Sequence, residues 1–414
     1  MVKKTFRFLH RQVREIHEGG LPVLLRKVRV FLPMVAAAPV VFALRAVLFM
    51  LRPVVVIRFG RLVSHRIGHF AANTEVYLCE RDAGMHGSRT LDIFYHSSPV
   101  CNRQLKKMWD RTLHVSRFAS WLDKVNRWLP GGEKHVISWP HHDRDIHGLL
   151  ARTRAHLSFS PEEEHRGRAA LRELGISDGV PFVCFHSRDS AYLATVFPSS
   201  SSRRHDYRNS SIRNFIPAAE ELVRRGYFAV RTGAIVKESF KTTDPMIIDY
   251  ATKGRTEFLD IFLGAKCHFY VGDPCGFLAI PMIFRRPLAI VNLIPLEYAL
   301  TWGADYLFIP KKLWLREERR FLTFREILDS GVGRFLRTEQ YEQLGIEVIE
   351  NTPEEITALA VEMDERLKGT RQTTEEDKEL QRRFWSLFKP SELNRVFLSR
   401  IGAEFLRQNR ELLD

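Results

Sequence analysis

At 414 residues the chain exceeds the length at which a single core keeps growing, so two lobes are expected. Its hydrophobic fraction of 45% is that of a globular protein, and five cysteines, an odd number without a C-x-x-C pair, exclude a disulfide framework and a zinc ribbon and suit a reducing compartment. A formal net charge of +14 calls for an anionic partner surface, with nucleic acid, membrane headgroups and phosphorylated ligands all still open.

The amino terminus is basic and then apolar. Lys3, Lys4, Arg7, Arg11, Arg14, Arg26, Lys27 and Arg29 precede an apolar run over residues 30–44, which resumes after Arg45 and ends at Leu51. A spanning helix needs roughly 20 apolar residues, a length reached here only by including Pro33, Pro39 and Arg45. The expectation is a basic amphipathic anchor on a membrane surface, with a true span and a helix packed within the protein as alternatives. In the first two cases the basic flank keeps the body cytoplasmic, at the inner face of the cell membrane.

A β-branched run at 54–57 opens the first lobe. A helix follows over 70–80, a strand over 91–95, and helices over 102–129 with Trp109, Trp121 and Trp128 on apolar faces. The stretch 161–174 opens with Ser160, Pro161, Glu162 and Glu163, a capped helix that joins the lobes. From Pro181 onward strands at 181–186, 227–231, 246–250, 267–271 and 287–292 alternate with helices at 212–225, 255–264 and 276–284, which predicts a parallel sheet. A second capped helix runs to Leu367. The expected division is an N-terminal segment 1–53, an N-terminal Rossmann-like lobe 54–175, a C-terminal Rossmann-like lobe 176–368 and a helical tail 369–414. Residues 199–204 read as a mobile basic loop.

The chemistry concentrates where buried strands end. The run 182–185 stops at His186, Ser187, Arg188 and Asp189, and a loop carrying Asp206, Tyr207, Arg208 and Asn209 follows. Ligands of open parallel sheets sit beyond the carboxyl ends of the strands. There the Arg188 guanidinium suits a diphosphate, to which it can donate two parallel hydrogen bonds. Arg231 and Gly233 end the next strand, and Asp273, Cys275 and Gly276 form a turn ahead of a helix. Each has a plain structural alternative: ion pairs of Arg188 with Asp189 or Asp206, and a tight turn without ligand. His69, after Gly68, is the candidate base in the first lobe, its ordinary pKa suiting proton transfer near neutrality. The cluster His141, His142, Asp143, Arg144, Asp145 and His147 matches no zinc spacing and reads as a solvated or cleft-lining loop, so no metal is expected.

These residues carry a resemblance. The segment 258–290, with its Gly272-Asp273-Pro274-Cys275-Gly276 turn, resembles the donor half of heptosyltransferase-like GT-B glycosyltransferases, and His186-Ser187-Arg188 with Tyr192 is similar to the H-x-R motif of fucosyltransferases. The layout from Ile57-Arg58-Phe59-Gly60 through His65-Arg66-Ile67-Gly68-His69 and Asn73-Thr74-Glu75 to Arg188 and Asn209 resembles a bacterial family of surface-carbohydrate glycosyltransferases, over roughly residues 54–368. The resemblance implies a GT-B-like α/β fold of two Rossmann-like lobes facing a cleft, with the donor on the second lobe, plus the N-terminal apolar and basic helical segment.

It also implies transfer of a sugar from a nucleotide-diphosphate sugar to a glycan or lipid-linked acceptor in surface polysaccharide biosynthesis, independent of metal and without a cofactor. In that reading His186, Arg188, Asp206, Tyr207, Arg208, Asn209, Arg231, Gly233, Asp273, Cys275 and Gly276 bind the donor. His69, with Asp189 and Glu75 as alternatives, takes the acceptor proton. The rival is a nucleotide- or polyanion-binding protein without catalysis. Nucleic acid is not an expected partner, because no helix-turn-helix, zinc-finger or aromatic ribonucleoprotein signature is present.

Overall fold

A computed structural model describes residues 2–127, 131–139, 143–196 and 202–414. The chain divides into two compact units, one of Met1–Arg61, Ser88–Tyr95 and Val115–Ile137, the other of Leu62–Gly87, His96–His114 and Ser138–Asp414.

In the first unit the helix Val2–Leu51 breaks at Gly20, where φ is 59°. Among the described residues no helix is long and apolar enough to cross a membrane. Strands β1 (Val56–Leu62) and β2 (Thr90–His96) pair into a two-stranded sheet. Leu48, Phe59 and Ala119 form a small core with Ile57, Ile93, Tyr95 and Leu122 around it. The expected helices over 102–129 resolve into Arg103–Thr112, which belongs to the second unit, and Ala119–Asn126 in the first. Trp109 is buried on the first, but Trp121 on the second is 38% exposed, and Trp128 lies outside the described residues.

The second unit is built on a parallel sheet. Its strands in chain order are β3 (Phe182–His186), β4 (Phe228–Arg231), β5 (Ile247–Ile248), β6 (Tyr270–Gly272), β7 (Leu288–Leu293) and β8 (Tyr306–Pro310). Strands β9 (Lys312–Leu315), β10 (Arg320–Phe321) and β11 (Ile346–Ile349) make a separate antiparallel sheet, and β12 (Arg400–Ile401) returns to the large one. The order across the large sheet is β12-β8-β7-β6-β3-β4-β5, with every described pair parallel. Layers on both faces explain why β3 and β7 read as unbroken apolar runs and not as alternating ones.

From β3 the chain winds outward through β4 and β5, then crosses back to β6 and proceeds the other way. The reversal point lies between β3 and β6, where His186 pairs with Gly272. A crevice outside the carboxyl ends of two such strands is where open α/β sheets bind ligands.

Several expected elements change at their ends. The strand expected over 246–250 is two residues long, because Asp249 leaves the ladder to accept from Arg231 Nη1 and from the Phe240 amide. The helix expected over 276–284 is only Ala279–Ile283. The tail 369–414 folds back onto the sheet through β12, which Gln381 holds by donating to the Ile401 carbonyl at 2.6 Å. Of the loop expected at 199–204, residues 199–201 lie outside the described residues, and Arg203 and Arg204 sit on the 3-10 turn Ser202–Arg208.

Candidate active site

At the switch point one buried carboxylate organises three loops. The Asp273 Oδ2 accepts from the Arg188 amide at 2.7 Å and from Ser210 Oγ at 2.5 Å, and Oδ1 accepts from Asn292 Nδ2 at 2.9 Å. Tyr270 donates its hydroxyl to the Asp273 carbonyl at 3.0 Å. Burial pushes the Asp273 carboxyl above the ordinary range despite these donors. Asp273 therefore ties together the ends of β3, β6 and β7, and its side chain is wholly enclosed. Gly272 is required there, since a Cβ would stand 2.4 Å from the His186 carbonyl oxygen. A second close approach brings Gly276 against Gly68 at the start of the helix Ile67–Asp82, with only 3.0 Å between an added Gly68 Cβ and Gly276 Cα.

Around this hub three cations gather. Arg188 donates through Nη1 to the His205 carbonyl at 3.1 Å and to Asn209 Oδ1. Arg208 reaches the Pro274 carbonyl through Nη2. Lys311, 5% exposed, donates to the Asn209 carbonyl at 2.5 Å. Burial, and then the nearby Arg208, depress Arg188 to about 10. The His205 imidazole is pushed down to about 4 by burial and then by Arg208, Arg188, Arg204 and Arg66. Arg208 Nε and His205 Nδ1 are buried and find no hydrogen-bond partner among the described residues. Clustered guanidinium charge with an unspent buried N–H, that of Arg208 Nε, is what a multiply charged anion would satisfy.

His186 ends β3 with its Nδ1 3.1 Å from the Thr232 carbonyl and its ring stacked on Phe277, centroids 5.6 Å apart. Burial pushes the Cys275 thiol up, but the His186 imidazole more than offsets this and brings the thiol down to about 7. A cavity of about 230 Å³ opens beyond the ends of β3 and β4, lined by Tyr192, Ile235, Cys101, His65, Arg255 and Glu257.

The other predicted residues are placed as follows. Asp206 accepts from Asn209 Nδ2 at 2.9 Å and so braces the Arg188 partner. Tyr207 is buried against Tyr341, ring centroids 5.2 Å apart. Arg231 is 1% exposed and pairs with Asp249 at 3.1 Å and with the Glu238 carbonyl at 2.7 Å, behind the loop that starts at Gly233. Asp189 spends both oxygens on backbone amides, those of Ala191 and Lys237, each at 2.8 Å. His69, in the first turn of Ile67–Asp82, has Nδ1 3.2 Å from Asn73 Oδ1, which makes Nδ1 the protonated nitrogen and Nε2 the basic one.

Glu75 lies deeper in that helix, fully buried, where Arg285 Nη2 donates to Oε1 at 2.6 Å and His156 Nδ1 stands 3.1 Å away. Among the described residues Glu75, Cys79 and His156 are the group whose ligand atoms lie within 4.8 Å of one another. Arg285 already occupies that group, and His156 is held protonated. Burial opposes that charge, but Cys79, Glu75 and Asp82 raise the imidazole to about 10. The network is thus an ionic lock. Because the folded pKa exceeds the unfolded value of roughly 6.5, the lock contributes fully below that pH and is lost as pH rises through about 10. Urea midpoints should therefore fall between pH 7 and pH 10, and Glu75→Gln should flatten that slope; an unchanged slope in the variant would remove the lock from the account.

Lys311, His205, Ser210 and Asn292 belong to the site and were not among the predicted residues. The signal for Lys311 was its position directly after an apolar strand; for Asn292 it was an asparagine at a strand end, where φ is 52°. Of the cluster at 141–147, His141 and His142 lie outside the described residues. Arg144 and Asp145 are buried, contrary to the solvated reading. Arg144 stacks 5.0 Å from the Trp302 ring centroid and donates to the Ala299 and Leu393 carbonyls, while Asp145 caps the Leu149 and Leu150 amides.

Comparison with solved structures finds similarity to glycosyltransferases. The glycosyl transferase family 9 protein from Veillonella parvula DSM 2008 is 10% identical with a TM-score of 0.41, over 74% of this chain and 96% of that one. The E. coli ADP-heptose LPS heptosyltransferase II is 13% identical with a TM-score of 0.37, over 61% of this chain and 90% of that one. No family model and no curated protein matches the sequence.

Proposed function

We propose that the chain is a glycosyltransferase of the GT-B type that uses a nucleotide-diphosphate sugar. The observation that carries this reading is the cluster of cations at the switch point, the half-buried Arg188 and Arg208 and the buried Lys311, around the buried Asp273 hub. The resemblance of the strand-end motifs supports it. The diphosphate lies against Arg188 and Arg208, and the cavity beyond β3 and β4 takes part of the nucleoside or sugar. As the acceptor oxygen bonds to the anomeric carbon, the bond from that carbon to the diphosphate oxygen breaks. The leaving group gains charge that the two guanidiniums stabilise more strongly in the transition state than before it. His69 Nε2 takes the acceptor proton, because Glu75 is locked in its ion pair and Asp189 is committed to backbone amides.

The acceptor is a glycan or a lipid-linked acceptor of bacterial surface polysaccharide biosynthesis, met at the inner face of the membrane. Incubation with UDP-, GDP- and ADP-sugars without acceptor tests the reading. Slow release of free sugar from one of them is expected; tight binding without release would identify a non-catalytic nucleotide-binding protein.

A further inference from the structure

The first unit carries exposed apolar side chains at the end of its long helix. The helix Val2–Leu51 turns Leu48 inward onto Phe59 and Ala119, and this leaves Phe49 and Met50 outward at 62% and 68% exposure. The helix Ala119–Asn126 packs on it and buries Ala119, Asp123 and Asn126. Its outward residues are Phe118 and Trp121, and Val54 adds a further exposed side chain at 72%.

The same unit exposes the cations Arg89, Arg117 and Lys124. Within residues 45–61, 88–95 and 115–127 the carboxylates are Asp92 and Asp123, and both are buried and paired. Asp92 accepts from Arg58 at 2.8 and 2.9 Å, and Asp123 from Tyr95 at 2.5 Å and Arg127 at 3.0 Å. The exposed charge within these three segments is therefore of one sign.

We propose that this face docks on an anionic lipid bilayer, with Phe49, Met50, Phe118 and Trp121 entering the interfacial layer and Arg89, Arg117 and Lys124 meeting the headgroups. Aromatic side chains favour that layer, and cations near an anionic leaflet gain attraction within a Debye length. A second copy of the chain fits less well, since it would set like charges against one another. The proposal deepens the membrane-associated part of the reading above and does not depend on the transfer chemistry.

Co-sedimentation of the full chain with phosphatidylcholine vesicles, with and without phosphatidylglycerol, tests it. Binding is expected with the anionic vesicles, weakening with salt. It should drop by roughly tenfold or more in Phe49→Asp/Trp121→Asp and again in Arg117→Glu/Lys124→Glu. Nucleotide binding should be unchanged in both variants, which establishes their folding and separates this inference from the transferase reading. Wild-type vesicle binding by either variant would overturn the proposal, as would equal binding to neutral vesicles. A dimer in sedimentation velocity that the first variant dissolves would assign the face to self-association and overturn it too.

Discussion

Arg188→Ala is expected to lower kcat/KM for the nucleotide-sugar by about 10²–10³-fold, the usual loss when one donor to a developing anion is removed. The fold should survive. The guanidinium is depressed to about 10 because burial and the like charge of Arg208 oppose it, a cost that an anionic ligand beside it relieves. Arg188→Lys should recover only part of the rate, since a point charge replaces a planar fork. Thermal stabilisation by nucleoside diphosphate, expected for the wild type from binding to the native state, should be absent in Arg188→Ala. Near-normal turnover with an unchanged melting temperature would remove Arg188 from the mechanism.

Asp273→Ala is expected to destabilise the second unit by about 3–5 kcal/mol, the range for breaking a buried charged network at one member. It strands the Arg188 amide, the Ser210 hydroxyl and the Asn292 amide nitrogen together. It also removes the carboxylate whose charge favours the Arg188 and Lys311 cations, leaving both with less compensation. Asp273→Asn should cost about 1–3 kcal/mol. Its oxygen can still accept from Arg188 and Ser210, but its amide would face Asn292 Nδ2, which cannot turn because Asn292 Oδ1 accepts from the Asn351 amide at 2.8 Å. Urea unfolding should rank the alanine variant below the asparagine variant and both below wild type. An alanine variant as stable as wild type would refute the hub role.

The sequence made the strands of the large sheet readable because both of their faces are covered, so β3, β4 and β7 appear as short apolar runs bounded by polar residues. Arg188 with Asn209 was readable for a related reason: charged residues directly after a buried strand have few places to go except the carboxyl edge. Arg231 shows the limit of that argument. It is the last residue of β4, paired with Phe185, and its side chain turns onto Asp249 at the neighbouring strand. An unbroken apolar run carries no alternation from which that direction could be read.

The partners of Glu75 and Asp189 were not legible, because a carboxylate near a motif shows nothing of what it pairs with. Arg285 lies more than two hundred positions from Glu75, and the Lys237 amide comes from a different loop from Asp189. The antiparallel trio β9–β11 and the return of β12 were equally hidden, since their pairing depends on register between short strands far apart in the chain.

Calorimetric titration of UDP, GDP and ADP into the wild-type chain and into Arg188→Ala tests the central claim most directly. The account predicts saturable binding of one nucleoside diphosphate at one site, weaker binding of its monophosphate, and loss of both in the variant. Equal affinity in the two proteins, or no binding of any diphosphate by the wild type, would contradict a diphosphate site at the β3–β6 switch point.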